Sequence, residues 1–194
     1  MSYSNPLHTP VGSINRSSYS TLGSAMQQPA TPEAGSSTRR LVPQTCVSKS
    51  RQQPSNAVSF DYVGHPKLGM PLREIHARGP SALQQMMQGA NDAVLSHTRL
   101  RNVTLHISWP GYEHVPWSRT VDVVTSDGPI TRAYLASIIA HHFAEYIEKN
   151  KNQATKNPDW RLGSGGFCLD HIILLSVYNV CEDAWQAEVA IDFE

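Results

Sequence analysis

Several classes of protein are excluded by what this sequence lacks. Its 194 residues contain only three cysteines, Cys46, Cys168 and Cys181, too few for a disulfide framework and typical of a reducing compartment. The longest uninterrupted apolar run, residues 172–175, is far shorter than the roughly 20 residues of a membrane span, and there is no apolar signal segment. We therefore expect an intracellular protein of the cytoplasm or nucleus with no membrane partner. Mitochondrial import is a minor alternative, because the first 32 residues lack acidic side chains.

Net charge is also absent. The chain has 16 basic and 16 acidic residues, so no global field attracts it to nucleic acid. Residues 1–59 carry five basic residues against one acidic residue, and the remainder is weakly acidic. Five dispersed charges do not form a concentrated basic stripe. We expect no nucleic-acid partner, and a transcription-associated role for the basic segment is the weakest functional hypothesis.

The composition divides the chain into two parts. Residues 1–59 are rich in Ser, Pro and Gln, and their few apolar residues follow neither the period of a strand nor that of a helix. Such a segment cannot bury enough apolar surface to offset the entropy of ordering, so a disordered tail is predicted. From Phe60 onward the composition is that of one folded domain, residues 60–194, without internal repeats.

Hydrophobic periodicity predicts two helices. Residues 60–79 are predicted to form an irregular arm, and Pro80 opens a first helix with one apolar face: Leu83, Met86, Met87, Ala90 and Val94. Thr131 occupies the N-cap position of a longer helix, which ends near Asn150. Its apolar stripe continues over three turns: Leu135, Ile138, Ile139, His142, Phe143, Tyr146 and Ile147.

Four strands are predicted around the longer helix. Alternation of apolar and polar residues indicates strands over residues 103–109 and 119–123, and a turn at residues 126–128 leads into the helix. The apolar run 171–180 and the alternating residues 185–193 predict a buried hairpin. The order αββαββ predicts an α+β domain in which a mainly antiparallel sheet of about four strands packs on one long and one shorter helix. This outline is similar to the β-grasp arrangement.

An aromatic loop connects the first two strands. Its sequence is WPGYEHVPW at residues 109–117, and its glycine is expected to supply a special backbone angle. Packing of the loop on the domain is the favoured interpretation. The alternative is contact with a peptide of a protein partner or with a small ligand, for which the candidate residues are Trp109, Tyr112, Trp117 and Arg119, because exposed aromatic residues often dominate binding energy.

No catalytic residue, metal site or cofactor is predicted. His141 and His142 are adjacent and point about 100° apart on a helix, whereas a zinc site needs i, i+4 spacing. Cys168 and His171 are expected on opposite faces of a strand that begins near Phe167, which argues against a local dyad. The glycines at 163, 165 and 166 precede a strand rather than a helix, unlike a phosphate-binding loop.

Five short motifs resemble a large family of basidiomycete fungal proteins. They are MPLREI at residues 70–75, GAND at 89–92, WPGYEHVPW at 109–117, PITRA at 129–133 and WQAE at 185–188. The resemblance spans about residues 60–194. It implies a fungal, intracellular protein with a variable leader, and the family has no assigned activity, cofactor or catalytic residues to transfer.

The sequence favours a non-enzymatic protein-interaction or regulatory module. Such a module would present an exposed sheet edge or the aromatic loop to a protein partner. The alternative is a small hydrolase or transferase whose site is assembled from residues distant in the chain, with these candidates: His106, His114, Arg119, Cys168 and Asp170.

Overall fold

A computed structural model describes residues 39–44 and 57–192, which belong to one compact unit. In chain order, the described strands are β1 (Arg40–Leu41), β2 (Val58–Ser59), β3 (Met70–Pro71), β4 (Asn102–Ile107), β5 (Trp117–Asp122), β6 (Val124–Thr125), β7 (Gly128–Pro129), β8 (Ile172–Cys181) and β9 (Ala184–Ile191). The helices are α1 (Leu72–Met86) and α2 (Arg132–Asn150), and short 3₁₀ turns cover residues 96–98, 158–160 and 169–171.

The predicted fold class is wrong. The described residues form a mixed α/β structure with two helices, a seven-stranded sheet and a separate two-stranded sheet, not a sheet of about four strands with a β-grasp-like outline. The four strands that periodicity indicates are all present as β4, β5, β8 and β9. The other three strands of the large sheet, β1, β2 and β3, have two residues each. Two residues cannot show a period, so these strands leave no pattern in the sequence.

The large sheet is built around the hairpin of β8 and β9. Its strand order is β2-β8-β9-β4-β5, with β3 also paired to β8 and β1 also paired to β9. The β4–β9 pairing is parallel and the others are antiparallel. The two outer sides of the sheet therefore differ. The outer side of β8, which we call the covered edge, is paired with β2 and β3, whereas β5 pairs only with β4 among the described strands, and we call its outer side the free edge.

Both helices contribute to the core on one side of the sheet. Thr131 caps α2 by accepting a hydrogen bond from the Tyr134 amide (3.3 Å), as predicted, and α2 ends at Asn150. Its inner face is buried on the sheet: Leu135, Ala136, Ile139, Ala140, Phe143, Tyr146 and Ile147. Trp117 of β5 meets Tyr146 edge to face, with ring centroids 5.7 Å apart, which fixes the helix across β5.

The first helix differs from its prediction. It begins at Leu72, inside the segment predicted to be irregular, and it is interrupted at Gly79, whose backbone angles (φ 69°, ψ 171°) are not helical. Pro80 does start the second helical piece, but that piece ends at Met86, and the apolar residues beyond it are not helical: Met87 is in an isolated β-bridge with Tyr62, and Ala90 and Val94 are in turns. Met87 and Ala90 are nevertheless buried. An apolar residue in a compact turn can imitate helical spacing, which explains the wrong boundary.

The sheet extends into the range that the sequence assigns to a tail. Within residues 1–59, the structure describes residues 39–44 and 57–59, and β1 and β2 lie there. Val42 and Val58 are buried, and Gln44 accepts a hydrogen bond (2.7 Å) from the side chain of Gln186 in β9. The remaining part of the predicted tail lies outside the described residues. Within residues 39–44 and 57–192, none of the helices combines the length and the hydropathy that a membrane span requires.

Candidate functional site

Three of the four predicted contact residues are buried. Trp109 and Tyr112 are each 1 % exposed and Trp117 is 5 % exposed. The Trp109 indole donates a hydrogen bond to the Trp160 carbonyl (2.8 Å), and the Tyr112 hydroxyl accepts one from the Leu162 amide (3.1 Å). These contacts join the aromatic loop to residues 160–162. In this conformation the three aromatic side chains hold the domain together and offer little surface to a partner.

The glycine of the aromatic loop has the special angle that the sequence indicates. Gly111 has a φ of +84°, and a Cβ added there would lie 2.7 Å from the Asn157 amide nitrogen. The Lys156 amide donates to the Gly111 carbonyl (3.0 Å), so the loop and the 155–157 segment are in direct backbone contact. A larger residue at position 111 would separate them.

Arg119 is the predicted contact residue that remains accessible. It lies on β5, exposed, with its guanidinium 4.0 Å from the centre of the Trp117 ring. Its Nη1 donates to the Ser118 carbonyl (3.0 Å). The stacked aromatic ring restricts the guanidinium without covering it, so a positive charge is held beside the free edge.

A groove separates the free edge from α2. It has a volume of about 540 Å³, and its lining comes from β5, from the turn after β6, from α2 and from the start of the second piece of α1. Its apolar wall includes Pro80, Ile138 and Tyr134, of which Tyr134 is 43 % exposed. Thr120 and Asp122 line the opposite side. The groove is thus bounded by a strand on one side and by a helix on the other.

Histidines also line the groove, beside its apolar wall. His141 and His142 both lie there, and His76 of α1 stacks on His141 with ring centroids 6.1 Å apart. Glu145 is 3.4 Å from a ring nitrogen of each α2 histidine. Burial lowers the pKa of His142, and Glu145 opposes this effect only in part. The floor of the groove therefore favours an uncharged His142.

The backbone of β5 determines which hydrogen-bonding groups the free edge presents. The Val123 amide donates to the Arg101 carbonyl (2.8 Å), and bonded and non-bonded residues alternate along the antiparallel β4–β5 pair. The amide and carbonyl groups of Ser118, Thr120 and Asp122 therefore point away from β4. Among the described residues, no backbone hydrogen bond reaches these outward groups.

A second cavity lies at the far end of the β8–β9 hairpin. Its volume is about 530 Å³, and it is lined by the hairpin turn, by Trp185 and by His97, Thr98 and Leu100. Glu182, Asp183 and His97 supply its polar groups. Asp183 already accepts a hydrogen bond from the Thr104 hydroxyl (2.8 Å), so part of this polar surface is satisfied within the domain.

The five candidate residues for catalysis are dispersed. His106 is on β4, His114 stacks on Tyr112 in the aromatic loop, and Asp170 is 3.9 Å from Arg73 of α1. In the part of the chain that the structure describes, no hydrogen bond or ion pair joins any two of the five candidates. No group of three or more His, Cys, Asp or Glu residues that could hold a metal ion is found among the described residues either.

The expectation that Cys168 and His171 lie apart on opposite faces of a strand is wrong. Cys168 and His171 do meet, with Sγ and Nδ1 3.2 Å apart. The sequence placed them on opposite faces because the strand was expected to begin near Phe167. A 3₁₀ turn at residues 169–171 precedes β8 instead, and its i, i+3 geometry brings residue 171 over residue 168.

No protein-family model matches this chain, and no curated protein or solved structure matches it. The resemblance to basidiomycete proteins over residues 60–194 therefore stays a prediction. Among the described residues, the free edge lies directly beside a groove of about 540 Å³.

Proposed function

We propose that this protein is a non-enzymatic interaction module that binds an extended segment of a partner protein along the free edge. The observation that carries this proposal is the row of outward backbone groups on β5, which no described strand pairs, beside a groove of about 540 Å³. A strand edge next to a helix can accept an added strand, whose backbone supplies affinity and whose alternate side chains enter the groove.

The dimensions of the free edge suit a short peptide. The six residues of β5 extend about 20 Å, at roughly 3.3 Å per residue. The outward groups of Ser118, Thr120 and Asp122 recur at every second residue, which is the spacing of hydrogen-bonding groups on a partner strand. An extended segment of about five or six residues would satisfy them.

The groove sets the kind of side chain that the segment carries. Ile138, Pro80 and the exposed ring of Tyr134 form an apolar wall, and an uncharged His142 adds to it. We infer that the partner segment presents apolar side chains at alternate positions, toward α2. Arg119, stacked on Trp117 near the groove, would favour a carboxylate on the same segment.

A peptide selection tests this proposal. A library of random 12-residue peptides is selected on the full-length protein, and the synthetic selected peptides are titrated by calorimetry. We expect peptides with apolar residues at alternate positions. Thr120→Pro removes the outward N–H group of residue 120. It should weaken peptide binding about tenfold or more, because one backbone hydrogen bond to the peptide is lost and the adjacent ones are misaligned.

Thr120→Ala is the matched control, since it shortens the same side chain and keeps the N–H group. It should bind the selected peptides within about twofold of the unmodified protein. Equal losses in both variants, unchanged binding by Thr120→Pro, or failure to select any peptide would contradict the proposal. Sedimentation that finds a dimer lost in Thr120→Pro would assign the free edge to a second copy of the chain instead.

We also propose that the protein works inside the cell, in the cytoplasm or the nucleus. Cys168 and Cys181 are free thiols, which is common where glutathione keeps cysteines reduced. Fluorescence of a tagged full-length chain in fungal cells would test both compartments, and accumulation outside the cell would contradict this assignment.

A further inference from the structure

The two ends of the free edge carry opposite charges. Arg119 lies toward the start of β5 and Asp122 ends it, and both side chains are exposed. At about 3.3 Å per residue, their Cα atoms are roughly 10 Å apart. Lys149 of α2 adds a second cation near the start of β5, because its Nζ is 5.3 Å from the centre of the Trp117 ring on which Arg119 stacks. Asp127 adds a second exposed carboxylate, in the turn after β6.

Neither cation is neutralised by the described part of the domain. In residues 39–44 and 57–192, no carboxylate forms an ion pair with Arg119 or Lys149. Glu145, one turn before Lys149 on α2, instead has oxygens 3.4 Å from the two histidines of the groove. Of the five N–H donors of the Arg119 guanidinium, the structure shows one in use, from Nη1 to the Ser118 carbonyl. This end of the free edge can therefore receive an anionic side chain.

The carboxylate at the other end has a hydrogen bond but no cation. Asn102, opposite Asp122 on β4, donates from Nδ2 to Oδ1 of Asp122. An amide donor holds a carboxylate in place without cancelling its charge. Among the described residues, no Lys or Arg side chain forms an ion pair with Asp122 or Asp127. The end of β5 can therefore receive a cationic side chain.

The pleat of β5 places the two charges on opposite faces of the strand. Arg119 shares a face with Trp117 and Val121, and this face packs on α2, whereas Asp122 lies on the other face with Thr120. Residues that are directly opposite on paired strands share a face. A partner residue opposite Arg119 therefore points toward α2, as do the apolar residues that enter the groove. A partner residue opposite Asp122 points away from α2.

We propose that the free edge selects the sequence and the direction of its partner segment by charge, an inference that rests on the proposed function. The segment runs antiparallel to β5, with a basic residue opposite Asp122 and, three residues later, an acidic residue opposite Arg119. Apolar residues flank the basic residue and face α2. The antiparallel direction is favoured because its backbone pairing is slightly more stable per residue. A segment with the two charges exchanged meets like charges at both ends, so it is rejected.

Three synthetic peptides test this inference on the full-length protein. The matched peptide is Thr-Val-Lys-Val-Thr-Glu-Thr, the exchanged peptide has its Lys and Glu interchanged, and the neutral peptide has Gln at both positions. Binding of the fluorophore-labelled peptides is followed by anisotropy. The matched peptide should bind about tenfold more tightly than the exchanged peptide, with the neutral peptide between them, because two attractive cross-strand pairs become repulsive. This preference should shrink between about 50 mM and about 500 mM salt.

Reversal of direction does not rescue the exchanged peptide. In a parallel arrangement its Glu would lie opposite Arg119 and its Lys opposite Asp122, but both valines would then face away from α2. The peptides therefore test charge and direction together.

Variants of the protein reverse or reduce the same charges. Arg119→Glu/Asp122→Lys should prefer the exchanged peptide about tenfold, and should circular dichroism show it unfolded, Asp122→Asn replaces it and should reduce the original preference about threefold. Lys149→Gln should weaken binding of the matched peptide about threefold. Its control is Lys151→Gln, because Lys151 is already paired with Glu148 (2.6 Å), and this variant should bind within about twofold of the unmodified protein.

The outcomes separate this inference from the proposed function. Equal binding of the matched, exchanged and neutral peptides would overturn charge selection and leave strand addition at the free edge intact. Tighter binding of the exchanged peptide would overturn the assigned direction and charge order. Absence of binding by all three peptides would contradict both this inference and the proposed function.

Discussion

The two edges of the large sheet show how this chain separates a structural surface from a candidate binding surface. The covered edge is paired with two short strands, through Val58 opposite Val177 and Met70 opposite Leu174. The free edge has no such partner among the described strands. Long unpaired edges invite uncontrolled association, and proteins usually cover or interrupt them. Among the described residues, short added strands close one edge of the sheet and leave the other edge open.

The side chains at the two edges also differ: those at the covered edge are buried and apolar, and those at the free edge are exposed and polar or charged. The strands and turns that close β8 contribute fully or nearly fully buried apolar residues: Val58, Phe60 and Met70. On β5, Ser118, Arg119 and Thr120 are all exposed, and the charge of Arg119 discourages promiscuous strand pairing. The covered edge is thus part of the core. The free edge presents exposed polar and charged side chains instead.

The largest effect should come from blocking the inner side of the free-edge strand. Val121→Pro removes an N–H group that the alternation on β5 directs toward β4, and it also disturbs a buried side chain. We expect a loss of at least about 3 kcal/mol in unfolding free energy. Thr120→Pro, one residue away, should cost about 1 kcal/mol or less, since its N–H points outward. Urea denaturation of both variants checks this, and equal losses would mean that the register of β5 is misassigned.

The next largest loss of stability should come from a substitution at the covered edge. Gly69, just before β3, has a φ of +68°, and a Cβ there would lie 2.6 Å from the Leu174 carbonyl oxygen of β8. Gly69→Ala should therefore lower the unfolding free energy by about 2–3 kcal/mol, from backbone strain and displacement of β3. Gly64→Ala has a similar φ of +80° but meets nothing within 4 Å, so it isolates the strain alone. Equal destabilisation in urea would show that close packing at the covered edge contributes nothing.

A smaller effect is expected at Arg119. Its stacking on Trp117 at 4.0 Å should stabilise the exposed end of β5 by about 0.5–1 kcal/mol. Arg119→Ala should lose this amount in chemical denaturation, and Arg119→Lys, which keeps the charge without the planar stack, should lose part of it. An unchanged denaturation midpoint for Arg119→Ala would show that stacking on Trp117 does not stabilise β5. It would not bear on the outward backbone groups of β5.

The smallest expected effect is on how the melting temperature depends on pH. Burial lowers the pKa of His142 in the folded protein, so protonation favours the unfolded chain. The contribution of His142 to stability is therefore present above its unfolded pKa of about 6.5 and is lost as pH falls through its folded pKa. Glu145 opposes this loss, whereas His141 and Arg119 add to it. The melting temperature should fall between pH 7 and pH 5 less in His142→Asn than in the unmodified protein, and identical slopes would contradict the assignment.

Periodicity was sufficient for α2 and for the four longer strands, but not for the bounds of α1 or for the two-residue strands. The stripe of α2, its Thr131 cap and the β8–β9 hairpin follow from residue spacing, because each contains several repeats of its own period. β9 is less simple than its alternating apolar residues suggest, since Gln186 between them is also fully buried. The covered edge depends on two-residue strands whose partners are more than a hundred residues distant, as with Val58 and Val177.

The candidate sites show a related limit. Composition singled out the aromatic residues and Arg119, but only the fold separates buried Trp109 and Tyr112 from exposed Arg119. The Cys168–His171 contact depends on whether a turn or a strand occupies three residues. That choice is made by the backbone bonds around Phe167 and His171, which sequence spacing does not encode.

Amide hydrogen exchange at β5 would show whether the free edge is open and whether it binds a partner strand. Exchange of the Ser118, Thr120 and Asp122 amides is measured by nuclear magnetic resonance in the free protein and with a selected peptide bound, with the inward amides of Val121 and Val123 as references. The free edge predicts rapid exchange of the three outward amides in the free protein, slow exchange of the references, and strong protection of the outward amides in the complex. Outward amides that are already protected in the free protein, or that exchange equally fast in the complex, would contradict a free edge that binds a partner strand.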